Sequence, residues 1–163
     1  MIFVTLGSQK FQFNRLLKEL DRLIEQNIIC EPVFAQIGSS DYTPRHYEYK
    51  RFLDRDEFAV QQSRADIIIT HGGTGAIIGA VKKGKKVIAV PRSAKYGEHV
   101  DDHQLQIISQ FGTMDIMEPC FDVAELGKAY LAAKEKTYTP YQSNTRNILD
   151  RIEAYLQDAE KHR

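Results

Sequence analysis

Excess charge of either sign is the first thing this sequence lacks. Its 22 Lys and Arg residues are balanced by 22 Asp and Glu over 163 positions, so bulk charge offers no pull toward nucleic acid or an anionic membrane surface. Long apolar runs are missing too, and none approaches the roughly 20 residues that a membrane-spanning helix needs. The opening stretch MIFVTLGSQK has no basic segment before its few apolar residues and no extended apolar region, so we expect no signal peptide there. Cysteine is scarce: Cys30 and Cys120 stand alone, without CxxC or a neighbouring ligand set. Small buried thiols in a reducing cytosol are expected, not a disulfide or a metal site. There is no internal repeat and no low-complexity tract. Ordinary globular composition at this length is enough for one compact domain with its own core, expected over residues 1–163.

Strand and helix signals alternate along the chain. Residues 2–6 (IFVTL) form a continuous apolar run ending in Gly7-Ser8, as in a strand buried on both faces. The segment FNRLLKELDRLIEQN places Phe13, Leu16, Leu17, Leu20, Leu23 and Ile24 at helical spacing. Further strands are predicted at 33–37 (VFAQI, closed by Gly38-Ser39-Ser40), more weakly at 47–53, at 66–70 (DIIIT), at 86–90 (KVIAV) and at 113–117. Helices are predicted at 56–63, 76–83, 103–111, 122–134 and 144–160, the last with Ile148, Leu149, Ile152, Tyr155 and Leu156 on one stripe. Residues 137–145 (TYTPYQSNT) read as a linker, so 137–163 is expected to be linker and C-terminal helix. Apolar strands alternating with helices imply an α/β fold: a doubly wound, mostly parallel sheet covered by helices on both faces.

In such sheets ligands bind beyond the carboxyl ends of the strands. Three Gly/Ser loops fall there: Gly7-Ser8, Gly38-Ser39-Ser40 and His71-Gly72-Gly73-Thr74-Gly75. The third suits a pyrophosphate, because glycines let backbone N–H groups approach closely and a helix beginning near Thr74 adds its positive end. His71 could donate to a phosphate or a sugar hydroxyl. A tight strand-to-helix turn that binds nothing is the alternative. The P-loop pattern is not met in full, since Gly79, Gly84 and Lys85 are followed by Lys86 where Ser or Thr is required, and the context runs from helix to strand. Gly73, Gly75 and Gly79 loosely match a dinucleotide fingerprint, but after the fourth strand and without an acid at the end of the next one. A dinucleotide-binding enzyme therefore stays only as a minor alternative.

The stretch PRSAKYGEHVDDHQLQ gathers Arg92, Lys95, Glu98, His99, Asp101, Asp102, His103 and Gln104 behind another strand. Asp102 and Gln104 could receive sugar hydroxyls. His99, Asp101, Asp102 and His103 could also ligate a metal, but no third ligand has a recognisable spacing. The plainest alternative is a solvated loop with Asp101 or Asp102 capping the next helix.

Together, HGGTG, a strand ending in VP, and an acid and Gln before a helix resemble the C-terminal donor-binding domain of the MurG-like family 28 glycosyltransferases. VTLGSQKFQFNRLL, THGGTGAIIGAVKKGKKVIAVPR and KYGEHVDDHQLQI further resemble the small PssE-type proteins, subunits of bacterial exopolysaccharide and capsule glycosyltransferases. Those are related to the soluble catalytic subunit of the eukaryotic dolichol-linked N-acetylglucosaminyltransferase. The resemblance implies a Rossmann-like half of a two-domain GT-B enzyme that binds a nucleotide-sugar, usually UDP-linked. A separate membrane-anchored subunit binds the polyprenyl-diphosphate-linked acceptor, holding the soluble half peripherally at the cytoplasmic membrane face. Carried onto this chain, Gly7 and Ser8 border the diphosphate, and His71, Gly72, Gly73, Thr74 and Gly75 form the phosphate-side loop. Arg92, Glu98, Asp102 and Gln104 join the donor site. His71, Glu98 and His103, with His99, are fallback candidates for the general base, which in two-domain relatives comes from the acceptor half. No metal and no cofactor are expected, the UDP-sugar being substrate.

One departure stands out. The MurG-like pattern commonly places a ribose-binding glutamate eight residues into the loop, and here that position is Gly79. A non-catalytic accessory subunit, enhancing a membrane-bound partner, is therefore the competing expectation. Self-association is expected where the partner is missing. Lys82, Lys83, Lys85 and Lys86 surround Gly84, and are read as a solvated turn or, with a membrane partner, as a contact for anionic headgroups.

Overall fold

The computed structural model describes residues 1–141 and 145–161. Its sheet contains β1 (Ile2–Thr5), β2 (Val33–Gln36), β3 (Glu48–Lys50), β4 (Ile67–His71), β5 (Lys86–Val90) and β6 (Glu118–Pro119). The strands lie in the order β3-β2-β1-β4-β5-β6, every pair parallel. The helices are α1 (Asn14–Glu25), α2 (Arg55–Arg64), α3 (Thr74–Lys82), α4 (His103–Thr113), α5 (Leu126–Glu135) and α6 (Thr145–Lys161). This is the doubly wound α/β arrangement, in which the chain reverses its winding direction between β1 and β4.

Continuous apolar strands arise because both faces are covered. Ile2, Val4, Ile67, Ile69, Ile88 and Val90 point to one face, against Leu16, Leu17, Leu20 and Leu23 of α1 and Leu126 and Tyr130 of α5. Phe3, Ile68, Val87 and Ala89 alternate to the other face, against Ile77 and Val81 of α3, Ile108 and Phe111 of α4, and Phe58 of α2. On α6, Ile152 is buried in this second core and Leu149 and Leu156 pack against it, while Tyr155 is 62% exposed. The side chain of Ile148 and residues 142–144 of the expected linker lie outside the described residues.

Four expectations need correction. The strand expected at 113–117 is absent, because α4 continues to Thr113 and a turn follows with Asp115 at φ +56°. Ile116 and Met117 are buried by that turn, and the edge strand is only Glu118–Pro119. A helix was expected from residue 56, but Asp54 starts it at Arg55 through a reciprocal capping box: its carboxylate accepts from the Glu57 N–H and the Glu57 side chain accepts from the Asp54 N–H. Cys30 is exposed, not buried. Cys120 is buried, and burial pushes its thiol up to about 12. Finally, two of the clustered lysines are structural. Lys85 Nζ donates to the carbonyls of Ser63 and Ala65 at the end of α2, and Lys86 Nζ to those of Ala133 and Lys134 at the end of α5. They satisfy helix-terminal carbonyls that would otherwise need water. No described helix is long and apolar enough to cross a membrane.

Candidate functional site

Because β1 and β4 are adjacent and in register, Thr5 beside Thr70, the segments leaving them emerge together at the reversal point. Gly7 turns there at φ +73°, a conformation that side chains rarely adopt. A Cβ on Gly7 would stand 2.8 Å from His71 Nε2. Gly38, leaving β2 at φ +58°, packs so closely that a Cβ would lie 3.1 Å from the Gly7 carbonyl oxygen. Ser8 is exposed beside them.

The His71-Gly72-Gly73 turn is equally crowded. A Cβ on Gly72 would meet Gln104 Cβ at 2.7 Å, and one on Gly73 would meet His71 Cε1 at 2.4 Å. Gly73 also starts α3 with no side-chain cap, its carbonyl accepting the first helical bond from the Ile77 N–H at 3.1 Å. The preceding N–H groups, of Thr74, Gly75 and Ala76, therefore have no helical acceptor and carry the positive end of the helix dipole. Gly75 and Gly79 differ: a Cβ on either would meet nothing within 4 Å. Gly7, Gly72 and Gly73 are required by the packing, whereas Gly75 and Gly79 leave open space.

His71 is 7% exposed, and its Nδ1 lies 3.4 Å from Gln104 Nε2. Burial, then the charge of Arg92 and the proximity of His99, draw its pKa down from 6.5 to about 4. At neutral pH the ring is uncharged. Between these two values the unfolded chain binds a proton that the folded chain does not, so stability falls as pH drops through that window. From pH 7 to pH 4.5 we expect His71 to remove about 2–3 kcal/mol. Comparing urea midpoints of wild type and His71→Asn at both pH values checks this, the variant losing that part of the acid sensitivity.

The loop after β5 is built differently from the sequence reading. Arg92 is 2% exposed and turned inward. Its Nη2 donates to the Leu6 carbonyl at 2.6 Å, and its Nη1 to the carbonyls of Phe11, Gln12 and Glu98. Burial lowers its pKa only to about 10, so it stays charged. Glu98 is fully buried, accepting Arg15 Nε at 2.8 Å, Arg15 Nη2 at 2.9 Å and the Ser93 N–H at 2.9 Å. Both oxygens of this carboxylate are thus engaged by Arg15 and the Ser93 N–H. Asp102 Oδ1 accepts the Ala94 N–H at 2.9 Å, and Asp102 borders a pocket of about 360 Å³ with Arg15, Ser93, Lys95, Tyr96 and Phe121. Arg15, stacked 4.1 Å from the Tyr96 ring centre, is a pocket residue that the sequence reading missed. Asp21 was missed as well. It is a buried carboxylate holding the Tyr42 hydroxyl and the N–H groups of Arg45 and His46, with no signal in the sequence except an acid on an apolar helix face.

Asp101 bridges two histidines, with Oδ1 3.2 Å from His99 Nδ1 and Oδ2 3.2 Å from His103 Nδ1. Among the described residues, Asp101, His103 and Glu160 of α6 each offer one atom within 4.8 Å of the others, a grouping with the right chemistry for a cation. Asp102, weighed as a ligand in sequence, is not part of it.

The decisive comparison is with a domain family. The model of the glycosyltransferase family 28 C-terminal domain matches residues 1–161. The chain belongs to this family. Over 99 residues this family 28 domain is 28% identical to the UDP-N-acetylglucosamine transferase subunit ALG13 of Yarrowia lipolytica, covering 60% of the chain and 48% of that protein. The chain thus spans about half the length of that curated relative. Three solved structures share the fold. They are the glycotransferase of kitacinnamycin (TM-score 0.58, 16% identity, 83% of this chain and 35% of that one), the MurG of Acinetobacter baumannii (0.56, 17%, 93% and 49%), and SnogD from Streptomyces nogalater (0.51, 19%, 82% and 38%). In each case the family 28 domain corresponds to half or less of a larger chain, as expected for one Rossmann-like half of a GT-B glycosyltransferase.

Proposed function

We propose that this family 28 domain is the donor-binding subunit of a two-protein inverting glycosyltransferase. It takes a UDP-linked sugar and works with a membrane-anchored, acceptor-binding partner on a polyprenyl-diphosphate-linked acceptor, in PssE-like exopolysaccharide or capsule synthesis. The observation that carries the reading is the convergence of Gly7, His71, Gly72, Gly73 and the start of α3 at the reversal point, each glycine packed too closely for a Cβ. ALG13 being described as a subunit of a UDP-N-acetylglucosamine transferase supports both the division of labour and the nucleotide.

In the proposed reaction an acceptor hydroxyl attacks the anomeric carbon opposite the UDP. The new C–O bond forms as the bond to the β-phosphate oxygen breaks, and UDP carries away the electron pair. The negative charge that develops is met by the N–H groups of Thr74, Gly75 and Ala76 and the dipole behind them. The acceptor's proton must go to a base. Glu98 is held by Arg15, His103 by Asp101, and His71 is a neutral ring that has already lost basicity, so we assign the base to the partner. The pocket bordered by Asp102, Lys95 and Tyr96 would hold the sugar. The protein would then lie peripherally at the cytoplasmic face of the membrane through its partner.

Open space at Gly79, where the family pattern puts the ribose contact, favours a second reading as a non-catalytic accessory subunit. A thermal-shift titration with UDP, a panel of UDP-sugars and NAD separates the readings. At about 100 times Kd, UDP should add roughly 2.7 kcal/mol, or about 5–10 °C for a chain of this size. No nucleotide shift, alone or with the partner subunit, would favour the accessory reading, and a shift with NAD alone would favour a dinucleotide enzyme.

A further inference from the structure

Gln104 lies in the first turn of α4 and is 4% exposed. Its Oε1 accepts two main-chain N–H groups from the ends of adjacent strands, Gly72 at 3.0 Å and Arg92 at 2.9 Å. Two backbone donors can be satisfied only by the oxygen, so the orientation of the amide is fixed by the neighbouring backbone. The amide nitrogen is consequently the atom that faces His71 Nδ1, at 3.4 Å. An amide NH2 offers only hydrogens, which requires Nδ1 to be a bare acceptor. A neutral imidazole carries one hydrogen, and that hydrogen must then reside on Nε2.

We propose that Gln104 is a positioning residue: it locks His71 in the neutral tautomer protonated at Nε2 and so presents an N–H donor to an anionic diphosphate oxygen above Gly7 and Gly73. The direction is set by the glycines, because Nε2 lies 2.8 Å from the Cβ position of Gly7 and 3.0 Å from that of Gly73. Glycine at both positions puts no side chain against that nitrogen, and it makes no hydrogen bond among the described residues. Arg92 and His99, the charged and titratable groups acting on the ring, both oppose a second proton. The identity of the ligand rests on the donor-site reading given above, whereas the tautomer does not.

Long-range 15N–1H correlation spectra of the full chain, labelled at histidine, read the tautomer directly, with His71 assigned by the signal lost in His71→Asn. The expected wild-type spectrum at pH 7 shows His71 with a hydrogen on Nε2 and none on Nδ1. In Gln104→Glu one carboxylate oxygen can still accept from Gly72 and Arg92, while the other now accepts from Nδ1. The hydrogen should move to Nδ1, and His71 should titrate at higher pH because an anion faces it. A wild-type hydrogen on Nδ1, or a tautomer unmoved in Gln104→Glu, overturns the role of Gln104. The wild-type spectrum decides the matter alone if the variant does not fold. Adding UDP should shift the Nε2 resonance. An Nε2–H tautomer indifferent to UDP would leave the positioning of His71 standing and count against the diphosphate reading.

Discussion

Gly73→Ala is expected to abolish the thermal protection by UDP while the chain remains folded. Gly73 has φ −78° and ψ 126°, angles open to any residue, so the backbone carries no strain. The entire cost is steric, because the new methyl would sit 2.4 Å from His71 Cε1 and the ring must leave its place. Overpacking of this kind costs about 1–3 kcal/mol of stability. The larger loss falls on binding, because the same displacement breaks the contact with Gln104 and fills the space beside the α3 N–H groups. Combining it with His71→Ala should restore stability without restoring the UDP shift. Gly75→Ala, with nothing within 4 Å of its Cβ, should be as stable as wild type or more so. A Gly73→Ala chain still protected by UDP would remove the loop from the binding site.

Arg92→Met should produce the largest loss of stability among the polar positions discussed. The guanidinium sews the segment after β1 to the segment after β5, donating to the carbonyls of Leu6, Phe11, Gln12 and Glu98 while stacking 5.2 Å from the Phe13 ring centre. Methionine keeps the apolar stem and strands four acceptors, at a cost of about 3–5 kcal/mol. For a chain of this length that is a fall in Tm of roughly 6–20 °C, measurable by calorimetry. Arg92→Lys should recover little, because a single ammonium cannot reproduce a planar fork that spans separate loops. A loss under about 1 kcal/mol would mean that water replaces the guanidinium freely and that the two loops hold themselves.

How much of this was legible beforehand depended on the kind of signal. Strands were readable at 2–6, 66–70 and 86–90, within a residue of the observed Ile2–Thr5, Ile67–His71 and Lys86–Val90, because burial on both faces demands unbroken apolar side chains. The same rule misled at 113–117. Met114, Ile116 and Met117 are apolar because a turn tucks them under α4, and apolarity reports burial without reporting hydrogen-bond pattern. The glycines looked alike in sequence, yet Gly72 and Gly73 are held by their neighbours and Gly75 and Gly79 are not. The acids looked alike too, yet Glu98 is locked in an ion pair while Asp102 borders a pocket.

By itself the sequence determined a parallel, helix-covered sheet with glycine turns at its carboxyl ends, since apolar runs, helical spacing and turn residues act within a few positions of one another. Only the tertiary structure decided the work of the polar residues. Arg15 finds Glu98 across 83 positions, Gly72 finds Gln104 across 32, and Leu6 receives Arg92 across 86. Those pairings exist because the sheet order brings β1, β4 and β5 side by side, so the chemistry of each group was set by a neighbour that no local pattern specifies.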